Sequence, residues 1–304
     1  MTTICLPDAA AREPLGDLPA GVQALVWDGS GPPPAGIEDV DFLVARYSAA
    51  AMTAGALARL PALRVIQLLS AGVEAWLDRV PDGVLLYNAR GVHGSSTAEL
   101  AVAGMLSVLR QLPRFGQAQL AHEWVQTDTD GLAGKRVLIL GAGDIGRRIA
   151  AAVEVFDARV TFVGRRIRDG VHGLAEVSGL LPQHDIVVVA IPHTPETHHL
   201  VDATFLAAMP DNALFVNIAR GPIVDTDALL VELAARRLQA FLDVTEPEPL
   251  PAGHPLWDAP NLVLTPHVGG GTYGWERRAY RLVREQVIRW HDGEPLENLV
   301  TDGY

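Results

Sequence analysis

The 304-residue chain holds a single cysteine, Cys5. That excludes an intrachain disulfide and any metal cluster built on cysteines. Basic charge is scarce as well: 24 Lys and Arg stand against 36 Asp and Glu, a formal net charge of −12. No basic stripe offsets that balance, which argues against general nucleic-acid or membrane-surface binding. No apolar run approaches the roughly 20 residues of a spanning helix. The opening MTTICLPDAA has neither a basic n-region nor a long apolar h-region, so a soluble, cytoplasmic protein is expected. Charged residues are only 20% of the chain and hydrophobic residues 49%, which permits a sizeable core and argues against disorder. The length suits two domains of ordinary size.

What is present is concentrated between Lys135 and Arg166. Val137-Leu138-Ile139-Leu140 is a short apolar run bounded by turn residues, as in a strand buried on both faces of a parallel sheet. Gly141, Gly143 and Gly146 follow at G-x-G-x-x-G spacing, with Asp144 and Ile145 between the last two. Ile145, Ile149 and Val153 then repeat at helical spacing, and Val160 to Val163 reads as a second strand. Gly141 permits the tight turn, Gly143 lets the backbone approach a pyrophosphate, and Gly146 lets helix and strand pack closely. The pyrophosphate would sit on free N–H groups at the positive end of the helix. Strand, glycines, helix and strand in this order predict a dinucleotide site. At the end of the second strand an NAD site usually has Asp or Glu for the ribose hydroxyls. Here Gly164, Arg165 and Arg166 stand there, with Arg168 two residues on. Guanidinium groups suit a 2′-phosphate, so NADP(H) is preferred and NAD(H) possible; the alternative is a solvated basic loop.

Residues 1 to about 90 alternate short apolar runs with Pro and Gly breaks, starting with Thr2 to Leu6 and ending with Val84 to Tyr87. Strands alternating with helices predict a small parallel α/β domain. Within it Ser70-Ala71-Gly72 reads as a strand-to-helix turn whose N–H groups could hold a carboxylate, or as a turn and nothing more. Arg90 to Gly94 reads as a linker. Ser96 or Thr97 can cap a helix running to about Leu120, with a broad apolar face that could also meet a partner subunit. Further buried strands end at Ile191-Pro192, Ala219-Arg220-Gly221, Asp243 and Thr265-Pro266-His267. Ligands bind outside the carboxyl ends of strands in a doubly wound sheet, so Arg220, Asp243 and His267 should converge. His193, His198 and His199 lie in the loop HTPETHH. No supporting carboxylate pattern accompanies them, and no metal site is expected.

Hydride transfer to a keto group needs a proton donor for the developing alkoxide and a fixed substrate. His267 follows a strand and precedes Gly269-Gly270-Gly271. A carboxylate from Asp243-Val-Thr-Glu-Pro-Glu-Pro249 could favour its imidazolium and fix its tautomer. Arg220 offers a planar fork for an α-keto carboxylate. A surface ion pair and a solvated Pro-rich loop are the bland alternatives.

The chain resembles the D-isomer-specific 2-hydroxyacid dehydrogenase family over nearly its full length. The resemblance rests on Gly141-Ala-Gly-Asp-Ile-Gly146, Asn217-Ile-Ala-Arg-Gly221, Asp243-Val-Thr-Glu-Pro-Glu-Pro249 and Thr265-Pro-His267. It implies that Arg220 binds the keto acid, that His267 is the acid/base, and that Glu248, not Glu246, is its carboxylate partner. It implies that Asp243 meets the nicotinamide carboxamide. Ile191, Pro192, Thr197, Ile218 and Ala219 would line the cofactor, and Ser70, Ala71 and Gly72 would hold the substrate carboxylate. The fold implied is a Rossmann doubly wound cofactor domain over residues 93–274. A smaller flavodoxin-like α/β substrate domain would comprise residues 1–92 and 275–304, the two domains closing over the substrate. The activity implied is NADPH-preferring interconversion of a small 2-keto acid and its D-2-hydroxy acid, glyoxylate or hydroxypyruvate being the nearest types, in a homodimer. The alternatives are a non-catalytic dinucleotide-binding regulator on the same fold, or a reductase acting on phosphite or a larger keto acid.

Overall fold

The computed structural model describes residues 2–301. The chain divides into two compact units, one built from Met1–His93 and Gly271–Tyr304, the other from Gly94–Gly270. Among the described residues no helix is long and apolar enough to cross a membrane.

The first unit carries a parallel sheet of β1 (Thr2–Leu6), β2 (Val22–Val26), β3 (Phe42–Ala45), β4 (Val65–Leu68) and β5 (Leu85–Tyr87), in the order β2-β1-β3-β4-β5. This is the flavodoxin-like doubly wound order. β1, β3 and β4 are buried at every residue, which is why β3 is an unbroken apolar run and none of the three alternates apolar with exposed polar residues. The C-terminal helix Trp275–Asp292 belongs to this unit and buries Ala279, Tyr280, Val283 and Val287 in its core.

The second unit holds seven parallel strands. They are β6 (Arg136–Leu140), β7 (Arg159–Gly164), β8 (Val171–Gly173), β9 (Ile186–Val189), β10 (Leu214–Asn217), β11 (Gln239–Leu242) and β12 (Leu262–Leu264). Their order is β12-β11-β10-β9-β6-β7-β8, a Rossmann sheet with its switch point between β6 and β9. Successive residues of a strand face opposite sides. Leu138, Leu140, Val187 and Val189 therefore enter one core, while Val137, Ile139, Ile186 and Val188 enter another. Each such fully buried side chain contributes about 1.5–3 kcal/mol relative to exposure. β8 was not expected; three residues containing His172 and Gly173 are too short for a periodic signal.

The long helix expected from Ser96 or Thr97 to Leu120 is two helices, Gly94–Leu109 and Leu112–Leu120. Gln111 breaks it with φ 52, and Pro113, lacking an N–H, could not have continued an unbroken helix without clashing with the preceding turn. The first helix starts at Gly94, so Ser96 and Thr97 lie inside it and are buried. It packs closely on the sheet: a Cβ at Gly104 would come 2.3 Å from the Phe241 ring.

Candidate active site

The glycine loop follows β6. Gly141 has φ 121, and a Cβ there would meet the Ala190 carbonyl oxygen at 2.3 Å, so only glycine fits at the switch point. A Cβ at Gly146 would meet the Gly141 carbonyl oxygen, which explains the close approach of helix Asp144–Glu154 to the strand. Gly143, by contrast, is exposed and has nothing within 4 Å of where a Cβ would stand. The loop is thus packed tightly on its inner side and open on its outer side. That is the cradle a pyrophosphate requires. Asp144 is turned aside by Arg148, whose Nε donates to Asp144 Oδ1 over 2.8 Å.

At the end of β7, Gly164 is half-buried and Arg165 and Arg166 are exposed. Arg168 returns to the glycine loop, its Nη2 donating to the Ala142 carbonyl over 3.0 Å. Three guanidinium groups therefore belong to the segment leaving β7, one of them anchored at the loop that would hold phosphate. Glu196 stands in the same electrostatic surroundings. The Thr194 hydroxyl chiefly, and more weakly the Arg165 charge, hold its exposed carboxyl below the ordinary range.

The loop after β9 is knotted by Thr197, whose Oγ1 donates to the Pro192 carbonyl over 2.8 Å and accepts the Thr194 N–H over 2.8 Å. Ile191 is buried at its start. After β10, Asn217 closes the turn with both ends of its amide: Nδ2 donates to the Arg220 carbonyl and Oδ1 accepts from Ala219 N–H. Ile218 and Ala219 are buried beneath it, and Arg220 Nη1 donates to the Ala219 carbonyl over 2.6 Å. In the sequence Asn217 is one letter of a motif; in the fold its side chain shapes the arginine turn.

After β11 stands Asp243, 2% exposed. Its Oδ1 accepts from Thr265 Oγ1 at 2.6 Å and Val268 N–H at 2.9 Å, and its Oδ2 from Gly269 N–H at 2.9 Å. The carboxylate is thereby committed to the loop that carries His267. His267 itself has φ 52, a left-handed conformation unusual for a side chain of this size. Its N–H donates to the Asp243 carbonyl over 2.7 Å. Its Nδ1 lies 2.5 Å from Glu248 Oε1, leaving Nε2 for other partners. Glu246 is half-exposed, and its Oε2 lies 3.3 Å from His199 Nε2. Among the described residues no group of three or more His, Cys, Asp or Glu side chains is placed to hold a metal.

Comparisons with known proteins identify the family. The sequence model of the family described as "D-isomer specific 2-hydroxyacid dehydrogenase, NAD binding domain" matches residues 102–269. Glyoxylate reductase/hydroxypyruvate reductase of Mus musculus is 36% identical over 248 residues, which are 77% of this chain and 76% of that protein. D-3-phosphoglycerate dehydrogenase of Methanocaldococcus jannaschii is 30% identical over 278 residues, 87% of this chain. That stretch is 52% of the relative, so the chain spans about half of its length. A crystal structure of a D-isomer specific 2-hydroxyacid dehydrogenase from Xanthobacter autotrophicus Py2, in complex with NADPH and MES, superposes with a TM-score of 0.84. It is 31% identical, with 99% of this chain and 98% of that one covered.

Proposed function

Because this chain belongs to the D-isomer specific 2-hydroxyacid dehydrogenases, oxidoreductases acting on CH–OH donors, we propose that it reduces a small 2-keto acid to the D-2-hydroxy acid with NADPH. The observation that carries the reading is the His267–Glu248 pair at the carboxyl edge of a dinucleotide-binding sheet. The bound dinucleotide supplies the hydride. Arg220 offers its planar fork to the substrate carboxylate; in the first unit, the backbone N–H groups of Ala71 and Gly72 suit a carboxylate as well. His267 gives a proton from Nε2 to the carbonyl oxygen as it becomes an alkoxide, while Glu248 on Nδ1 steadies the imidazolium before transfer and fixes the ring. Gly141, Gly143, Asp144, Ile145 and Gly146 would cradle the pyrophosphate. Ile191, Pro192, Thr197, Ile218, Ala219 and Asp243 would line the nicotinamide half.

Three finer points belong to the same reading. Preference for NADPH is supported by Arg165 and Arg166 after β7, which ends in Gly164 and not in Asp or Glu, and by Arg168 at the loop. A glyoxylate- or hydroxypyruvate-like substrate is supported by the mouse relative's name. A homodimer is supported by the apolar side chains left exposed on and after the Leu112–Leu120 helix: Leu112, Leu120 and Trp124. The testing experiment is a panel of 2-keto acids assayed with NADPH and with NADH. Turnover of none of them with either cofactor would remove the proposal.

A further inference from the structure

A line of buried side-chain amides that the reaction does not use runs through the first unit. Gln67 is 0%, Gln286 1% and Asn88 8% exposed. Gln286 Nε2 donates to Gln67 Oε1 over 3.1 Å, and Gln67 Nε2 donates to the Asn88 carbonyl over 3.1 Å. Asn88 Nδ2 then donates to the Ala71 carbonyl over 3.1 Å, while Asn88 Oδ1 accepts from Arg90 N–H. Burying three amides in an apolar core is costly unless each is satisfied, so a line of this kind needs a reason.

The reason lies in what it does to the loop after β4. Three successive carbonyls are held by the segment after β5: Leu69 by His93 Nε2 at 2.9 Å, Ser70 by Ala89 N–H at 2.8 Å, and Ala71 by Asn88. In a planar trans peptide the C=O and the following N–H point in opposite directions. Drawing these three oxygens toward residues 88–93 turns the N–H groups of Ser70, Ala71 and Gly72 the other way. Among the described residues none of those three N–H groups has an acceptor, and Gly72 is buried. A row of unpaired N–H groups turned to one side is an anion nest.

We infer that Asn88 is a positioning residue, backed by Gln67 and Gln286, which holds the Ala71–Gly72 peptide so that its N–H receives the substrate carboxylate. The inference rests on the proposed reading of Ser70, Ala71 and Gly72 as the carboxylate loop. Asn88 touches no reacting atom. It acts through the peptide plane, so it governs keto-acid binding and neither cofactor binding nor proton transfer.

The experiment is steady-state reduction of glyoxylate by the full chain carrying Asn88→Asp or Asn88→Ser, with Kd for NADPH and for oxalate measured alongside. Asn88→Asp sets a carboxylate oxygen against the Ala71 carbonyl; Asn88→Ser removes the amide donor without adding charge. Both should raise KM for glyoxylate and Kd for oxalate about 10- to 100-fold, as for a lost hydrogen bond to a charged site, with kcat within about threefold. Kd for NADPH should not move. Unchanged KM in both variants overturns the assignment, and so does a parallel rise in Kd for NADPH, which would report general loosening. Gly72→Pro deletes the N–H itself and separates the two levels. If it leaves KM unchanged, the carboxylate loop is misplaced and the inference falls with it. If it raises KM while both Asn88 variants do not, the loop stands and the role of Asn88 is overturned.

Discussion

Glu248 Oε1 lies 2.5 Å from His267 Nδ1, whereas Glu246, two residues earlier, turns to His199 Nε2 at 3.3 Å. The two carboxylates of one Pro-rich loop thus serve different histidines. Glu248→Gln keeps the shape and removes the charge beside the acid, so it should lower kcat/KM for reduction about 10- to 10³-fold, less than the roughly 10²–10⁴-fold of losing the general acid itself. Glu246→Gln should cost less than about threefold, as expected of a half-exposed pair. Log kcat/KM for the two variants decides it. A larger loss at Glu246 would place the partner at the wrong glutamate.

Arg220 is held by its own turn, with Asn217 beneath it. Arg220→Lys retains the charge and loses the fork, so KM for the keto acid should rise about 10-fold or more, with Kd for NADPH nearly unchanged. Parallel loss of NADPH binding would assign Arg220 to the cofactor instead.

Cofactor choice is testable at the end of β7. A Cβ at Gly164 would meet Val171 Cγ1 at 3.1 Å, a contact a side-chain methyl can yield to. The pair Gly164→Asp with Arg165→Ala should therefore fold, and should narrow or reverse a preference for NADPH by about 10- to 100-fold, one charge-assisted phosphate contact. Equal kcat/KM with both cofactors in the unaltered chain would sink the preference.

Burial pushes the Cys5 thiol up to about 11. At pH 8 the native chain should react with iodoacetamide at least about 10²-fold more slowly than the unfolded chain, since the thiolate is the nucleophile. Folding raises this pKa, so the associated stability is fully present below the unfolded thiol's value and is lost as pH rises through about 11. Alkylation at equal rates in native and unfolded protein would show that Cys5 is not in the core.

The parts of this fold legible in the sequence are those with local causes. β6 and β9 announced themselves because burial on both faces leaves an unbroken apolar run, and the glycine loop because its backbone admits nothing larger at Gly141 and Gly146. β8 escaped because three residues carry no period, and the break at Gln111 escaped because the apolar face continues across it. The site was legible as motifs, not as bonds. Nothing near Asp243 in sequence reveals that Thr265, Val268 and Gly269 take up its carboxylate. The contact of His199 with Glu246, 47 residues on, is equally invisible in the sequence.

The proposed chemistry meets its most direct test in NADPH oxidation with glyoxylate by the unaltered chain and by His267→Ala, followed by the nicotinamide absorbance and by chiral analysis of the product from a longer 2-keto acid. The unaltered chain should consume one NADPH per hydroxy acid formed and give the D-isomer, and His267→Ala should lose about 10²–10⁴-fold in kcat/KM, the range for a missing general acid, while still binding NADPH. Full activity in His267→Ala, or no NADPH oxidation with any small 2-keto acid by the unaltered chain, would contradict it.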